Sequence, residues 1–164
     1  MNLVDLIKFQ LDSTYDQDGW YPPMKAALAG VTAEQASWRP AGEAANTIWE
    51  TLNHLIYYKE RVLERANGGS PVFPYKDNTE TFEAGKAAGD EAAWQAALAR
   101  LDAIHQGFKT FLATQTDEQV TAPLGNGTIA QTLANILLHD AYHTGQVVMV
   151  RKLQGSWPAK NAYS

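Results

Sequence analysis

The chain has 164 residues, a formal net charge of −5, and 45% hydrophobic and 19% charged residues. A chain of this length buries a sizeable core without covalent cross-links, so we expect one domain over residues 1–164. The basic residues are scattered rather than clustered, which together with the acidic balance argues against a nucleic-acid partner. The sequence has no cysteine, which excludes disulfides and cysteine-based zinc sites and suits a reducing cytoplasm.

The N-terminal segment and the apolar runs indicate neither targeting nor a membrane. The segment MNLVDLIKFQ places Asp5 within its apolar stretch and has no basic region, so we expect no signal peptide. No run of about 18 apolar residues is present to span a bilayer. We therefore expect a cytoplasmic protein with no membrane partner.

The first half of the chain begins with helical signals. Residues 2–14 carry apolar side chains at helical spacing, which predicts an amphipathic helix. Pro22 and Pro23 then open a short helical segment that Gly30 closes.

Three longer helices are predicted further along, each from its own start signal. The segment TIWE at Thr47–Glu50 is a capping box and predicts a helix to about Ala66. Asp90 can cap a third long helix over EAAWQAALARLDAIHQGFKTFLA. A second capping box, TIAQ at Thr128–Gln131, opens a helix to about Leu153. No segment is a convincing strand, so the pattern predicts an all-α four-helix bundle with long connections.

The predicted connections cover residues 15–46, 67–89 and 116–127. Connections this long are uncommon in compact domains and often shape a site. The segment NGGSPVFPYKDNTETFEAG is therefore either a rim or lid of a site or a disordered stretch. The segments TIWETL and TIAQTL, preceded by TAEQ and TDEQ, are similar to each other, and we interpret them as two similar helix starts.

Two of the four histidines stand four residues apart in the segment LLHDAYHTGQ. At about 100° per residue, His143 lies about 40° around the helix axis from His139, and both residues are on the apolar side of the predicted helix. Burying two imidazoles on one face costs free energy unless both have partners. A divalent cation is one partner for both, because neutral imidazole is a good ligand, and a structural pair is the alternative.

His54 lies on the second predicted long helix, and two helices of a bundle can bring it to the same point as the pair. A set of three histidines leaves coordination positions for water or substrate, which is typical of a catalytic metal site. A histidine that binds a metal through one ring nitrogen usually hydrogen-bonds to a neighbouring group through the other. The candidates for that role by helical position are Thr51, Tyr58, Asp140 and Gln146. His105 stands alone on an apolar face, and we interpret it as a core or boundary histidine.

Three segments resemble the DinB-like superfamily, which includes bacillithiol S-transferases and mycothiol-dependent isomerases. LAGVTAEQASWRP is similar to the loop after the family's first helix, and TIWETLNHLIYYKERVL to its second helix. LLHDAYHTGQVVMVRKL is similar to its fourth helix and carries the pattern H-x-x-x-H-x-G-Q, which is the most specific of the three.

The resemblance implies a DinB/YfiT-like four-helix bundle in up-down-down-up order. It also implies a divalent metal ion, zinc or nickel, bound by His54, His139 and His143. Family members with an assigned reaction use low-molecular-weight thiols, so the resemblance implies a small-molecule substrate of that class.

These features leave several functions open. A metal that lowers the pKa of a bound thiol or water fits a thiol-dependent S-transferase or a metal-dependent hydrolase. A non-catalytic metal-binding or assembly protein is a further alternative. The five tryptophans leave apolar surface for a homodimer contact, so we expect a homodimer.

Overall fold

Four long helices form most of the structure, a computed structural model that describes residues 1–42, 44–83 and 89–158. They are α1 (Leu3–Tyr15), α4 (Ile48–Ala66), α5 (Glu91–Ala113) and α7 (Ile129–Leu153). Three short helices lie between them: α2 (Met24–Leu28), α3 (Ala33–Ser37) and α6 (Asp117–Val120). The predicted all-α class is confirmed. Within the described ranges, no helix combines the length and apolarity needed to cross a membrane.

Local capping chemistry sets the starts of the long helices. The hydroxyls of Thr47 and Thr128 each accept a hydrogen bond from the backbone N–H three residues later. The side chains of Glu50 and Gln131 accept one in return from the backbone N–H of those threonines. The side chain of Asp90 likewise accepts a hydrogen bond from a backbone N–H in the first turn of α5. The predicted bounds of α4, α5 and α7 are confirmed, and α1 is shifted by one residue from its prediction.

The connections contain short elements that the sequence pattern does not predict. Helices α3 and α6 begin at the capping boxes Thr32–Gln35 and Thr116–Gln119, so the similar segments TAEQ and TDEQ are themselves helix starts. Strands β1 (Pro123–Leu124) and β2 (Gly127–Thr128) pair antiparallel beside Gly125, whose φ of +63° suits glycine. The expectation of no strand is wrong here, because two-residue strands have no periodicity to detect.

The long helices share one apolar core. Helix α4 packs against α5 and α7, and α1 packs against the same two helices. Trp94 is fully buried in the core, where its ring contacts Trp49 and its indole N–H donates to the carbonyl oxygen of Val31 at 2.7 Å. The packing of α4 on α7 brings together the two helices that carry the predicted metal-binding histidines.

The connection after α4 folds back over that helix. It forms a 3-10 helix (Thr79–Phe82) that packs on α4, and the Asn53 side chain donates to the carbonyl oxygen of Glu83 at 2.8 Å. Thr81 is buried against α4. The connection therefore forms a rim up to residue 83, and residues 84–88 of the predicted segment lie outside the described ranges.

Candidate metal centre

Three histidines from two helices converge at one point. His54 lies on α4, and His139 and His143 lie on α7. The Nε2 atom of His139 is 2.9 Å from Nε2 of His54 and 3.0 Å from Nε2 of His143. One nitrogen of each ring lies within 4.8 Å of the other two. The structure thus brings together the trio singled out from the sequence, in an arrangement that can hold a metal ion.

The second ring nitrogen of His54 is held by a residue that the sequence pattern does not single out. Its Nδ1 atom lies 2.6 Å from Oγ1 of Thr81, in the 3-10 helix. Because the Thr81 hydroxyl donates its own hydrogen to the carbonyl oxygen of Asn78, it accepts the Nδ1–H of His54. A hydrogen on Nδ1 leaves the Nε2 lone pair free, and that atom faces the other two histidines.

His143 is oriented from within its own helix. Its Nδ1 atom lies 2.6 Å from Oε1 of Gln146, and this amide oxygen accepts the ring N–H. The two residues are three positions apart, a spacing that places side chains on one helix face. Gln146 is therefore the sequence candidate that contacts a ring nitrogen.

The structure places the other three candidates around the histidines in different ways. The ring of Tyr58 lies edge-on to that of His54, with centroids 4.9 Å apart. The Thr51 hydroxyl donates to the backbone carbonyl oxygen of Thr47, the residue that caps α4, at 2.9 Å. Asp140 forms a buried ion pair with Lys59. Helical position accounts for the contacts of Tyr58 and Thr51, whose partners lie four residues earlier, but not for the ion pair of Asp140, whose partner lies on another helix.

The hydrogen-bond pattern leaves too few ring hydrogens to pair the Nε2 atoms of the three histidines with one another. With hydrogens on Nδ1 of both His54 and His143, two Nε2 lone pairs face Nε2 of His139. A neutral His139 has a single ring hydrogen, and its Nδ1 is buried without a hydrogen-bond partner among the described residues. One cation at the meeting point would accept all three lone pairs, so the donor set fits a divalent metal.

The family model of the DinB superfamily matches residues 23–147, a range that contains all three histidines. The chain belongs to the DinB superfamily. Neither the search of curated proteins nor the search of solved structures found a match.

Burial keeps the imidazoles of this DinB-superfamily protein neutral near pH 7. Burial, followed by the charges of His139 and His143, lowers the pKa of His54 from its ordinary 6.5 to about 3. Burial, together with His143 and Lys59, lowers the pKa of His139 to about 4. Burial also lowers the pKa of His143, although its hydrogen bond with the neighbouring amide opposes the shift. The neutral ring is the form that binds a metal.

The three histidines of the DinB-superfamily chain line a cleft of about 640 Å³, a volume typical of small-molecule sites. Phe82 stacks on His54 with ring centroids 3.9 Å apart, and Tyr142 lies edge-on to His143. Besides the histidines, the polar lining consists of hydroxyls and amides, which come from Asn46, Tyr58, Asn78, Thr132, Asn135, Tyr142 and Gln146. Apart from the histidines and the phenols of Tyr58 and Tyr142, no described lining residue is titratable, so the cleft offers rings and hydrogen-bonding groups that are neutral near pH 7.

Replacing Thr81 by valine is expected to weaken metal binding about 10- to 100-fold, because groups that orient a ligand histidine typically contribute that much. Valine keeps the shape of the side chain but removes the acceptor of the His54 Nδ1–H. Competition with a chromophoric chelator measures the affinity. Thr81→Ser should retain most of it, and Thr79→Val, an exposed change in the same 3-10 helix, should have no effect. Equal affinity in Thr81→Val and wild type would show that Thr81 does not orient His54.

The metal-free protein is expected to lose stability as the pH falls from about 7 to about 4. The pKa of His54 and of His139 is lower in the folded chain than in the unfolded chain, so the unfolded chain binds more protons in this window. The free energy of unfolding therefore decreases with falling pH. Urea unfolding at a series of pH values measures the decrease. It should be smaller in His139→Gln, and an identical decrease in that variant would assign the effect to other groups.

Proposed function

We propose that this protein is a metal-dependent enzyme whose divalent ion, zinc or nickel, is bound by His54, His139 and His143. The observation that carries the proposal is the convergence of three Nε2 atoms of histidines that line an open cleft. Three protein donors leave coordination positions for a substrate, as catalytic sites require and closed structural sites do not.

We also propose that residues 1–164 form one domain and that its long helices follow the up-down-down-up order. Trp49 contacts Trp94, and Leu63 lies against Gly107, which supports α4 and α5 running in the same direction. The start of α7 borders a cleft with Arg65, at the end of α4, which supports opposite directions for α4 and α7. In this order α4 and α7 are neighbours that share the histidine centre.

The first candidate reaction is the transfer of a small thiol to an electrophile, in which the thiolate sulfur forms a new bond and the leaving group departs with its electron pair. The bound ion would lower the pKa of a thiol or water molecule and so make a nucleophile available near neutral pH. The chain has no cysteine, so the sulfur must come from a low-molecular-weight co-substrate.

The residues of the chain would position the reactants. Thr81 and Gln146 hold the rings of His54 and His143 in one tautomer, so their Nε2 atoms stay directed at the centre. Phe82 and the other rings of the cleft shield a bound substrate from water, and the amides lining the cleft can hydrogen-bond its polar groups. Hydrolysis is the second candidate, because the same centre can present water in place of a thiol.

Metal-loaded protein is expected to accelerate the conjugation of a small thiol to chlorodinitrobenzene or to an epoxide. The rate should rise with thiol concentration and saturate, since the thiol binds before it reacts. Spectrophotometric rates of loaded protein, stripped protein and His139→Ala measure the effect, and the last two should show no acceleration over buffer.

The thiol dependence separates the two reactions. A hydrolase acting on an activated ester or amide would be indifferent to thiol or inhibited by it, because the thiol would occupy the metal. If a broad panel of thiols, electrophiles and esters shows no metal-dependent turnover, the non-catalytic metal-binding alternative replaces the enzyme.

A homodimer is part of the proposal. Three large apolar side chains near α1 and α7 are exposed, Phe9 by 61%, Trp20 by 104% and Leu138 by 68%. Exposed apolar side chains of this size support a contact between two copies of the chain. Such a contact fits either an enzyme or a non-catalytic assembly protein.

A further inference from the structure

His105 is completely buried on α5, and neither of its ring nitrogens has a hydrogen-bond partner among the described residues. Its ring stacks on that of Tyr15, with centroids 4.1 Å apart. The interpretation of His105 as a core histidine accounts for its burial but not for its two unpartnered nitrogens, because buried polar atoms are normally hydrogen-bonded.

Two carboxylates near the C-terminal end of α1 face this ring: Asp12 lies in the helix and Asp16 is its C-cap residue. The Nε2 atom of His105 lies 3.9 Å from Oδ1 of Asp12 and 3.7 Å from Oδ2 of Asp16. The aspartates are four residues apart at the end of α1, and one oxygen of each lies within 4.8 Å of the other. Both distances are too long for hydrogen bonds. Ligand atoms bound at about 2.1 Å to a tetrahedral ion are about 3.4 Å apart, so a small inward movement of the carboxylates would bring three ligand atoms to bonding distance, and water would supply the fourth.

We propose that Asp12, Asp16 and His105 form a second divalent-cation site, separate from the three-histidine centre. One atom of each residue lies within 4.8 Å of the other two, and the buried imidazole is aimed at the carboxylates. One nitrogen and two oxygens suit Zn²⁺ or Mn²⁺. Burial lowers the pKa of His105 to about 4, so at neutral pH the ring presents a lone pair rather than a charge.

Lys109 competes with the ion. Its Nζ atom lies 3.1 Å from Oδ1 of Asp12, and its side chain is 42% exposed, so it can turn into solvent when a cation binds. Asp12 and Asp16 are themselves partly exposed. For these reasons the second site is weaker than the three-histidine centre and fills only when metal is added. The ion would cross-link α1 to α5.

The test uses the whole chain with its tightly bound ion in place, dialysed and then titrated with Mn²⁺. Free Mn²⁺ is followed by electron paramagnetic resonance. Wild type is expected to bind one further ion, and Asp16→Asn, a change of nearly constant shape at a partly exposed position, should lower the affinity at least tenfold. His105→Gln should lower it similarly. The absence of a further ion in wild type, or wild-type affinity in Asp16→Asn, would overturn the proposal.

Two more variants test the competing lysine and the independence of the two metal sites. Lys109→Ala should bind Mn²⁺ more tightly than wild type because it removes a competing cation, and Lys152→Ala on α7 is the matched control that should not. His139→Ala, which empties the three-histidine centre, should still bind the second ion. Loss of the second ion in His139→Ala would overturn the independence of the two sites. We expect this ion to be retained whether or not the proposed enzyme activity is found.

Discussion

Alanine in place of His54, His139 or His143 is expected to remove most of the divalent ion that the purified protein retains. Each residue supplies one of three converging Nε2 donors, and two remaining donors hold an ion much less firmly. Metal analysis of protein made without an affinity tag and dialysed against metal-free buffer measures the loss. Wild type should retain about one ion per chain.

The control for this experiment is the fourth histidine. His105→Ala should leave the tightly held ion in place, because His105 lies on α5 and contacts α1 rather than the centre. Circular dichroism of each variant separates loss of a ligand from loss of the fold. If His105→Ala empties the centre as completely as His139→Ala does, the assignment of the three ligands is wrong.

The ends of the long helices are predictable because their signals are local. A threonine followed three residues later by Glu50 or Gln131 caps its own helix, whatever the rest of the fold does. The same signal opens the five-residue helix α3 and the four-residue helix α6, but these are too short to show periodicity. Only the capping box itself indicates them.

The histidine trio is predictable for a different reason. His139 and His143 share a helix face by spacing, and only one further histidine needs to reach them from another helix. The partners of these rings depend on tertiary contacts instead. Thr81 reaches His54 across 27 residues of sequence, and nothing in the intervening segment indicates the contact. Helical position places Asp140 beside the histidines, but the charged partner that it contacts lies on another helix.

That partner is Lys59, and breaking this ion pair is expected to produce a large loss of stability. The side chains of Lys59 and Asp140 are 1% and 4% exposed, and they join α4 to α7 beside the histidine centre. Removing one member of a buried pair leaves the other charge without compensation, at a typical cost of about 3–5 kcal/mol. We expect that loss in the free energy of unfolding of both Lys59→Met and Asp140→Leu, measured by urea unfolding after removal of metal.

The double variant shows whether the loss comes from the isolated charge or from packing. Lys59→Met with Asp140→Leu leaves no buried charge, so it should recover most of the stability that either single change removes. The exposed pair of Arg100 with Glu60 is the matched control, since Arg100→Met should cost at most about 1 kcal/mol. A double variant as unstable as the sum of the single variants would mean that the two residues act through packing alone. Recovery of stability would show that the loss in each single variant comes from the buried charge left without its partner, and that apolar side chains can replace the pair between α4 and α7.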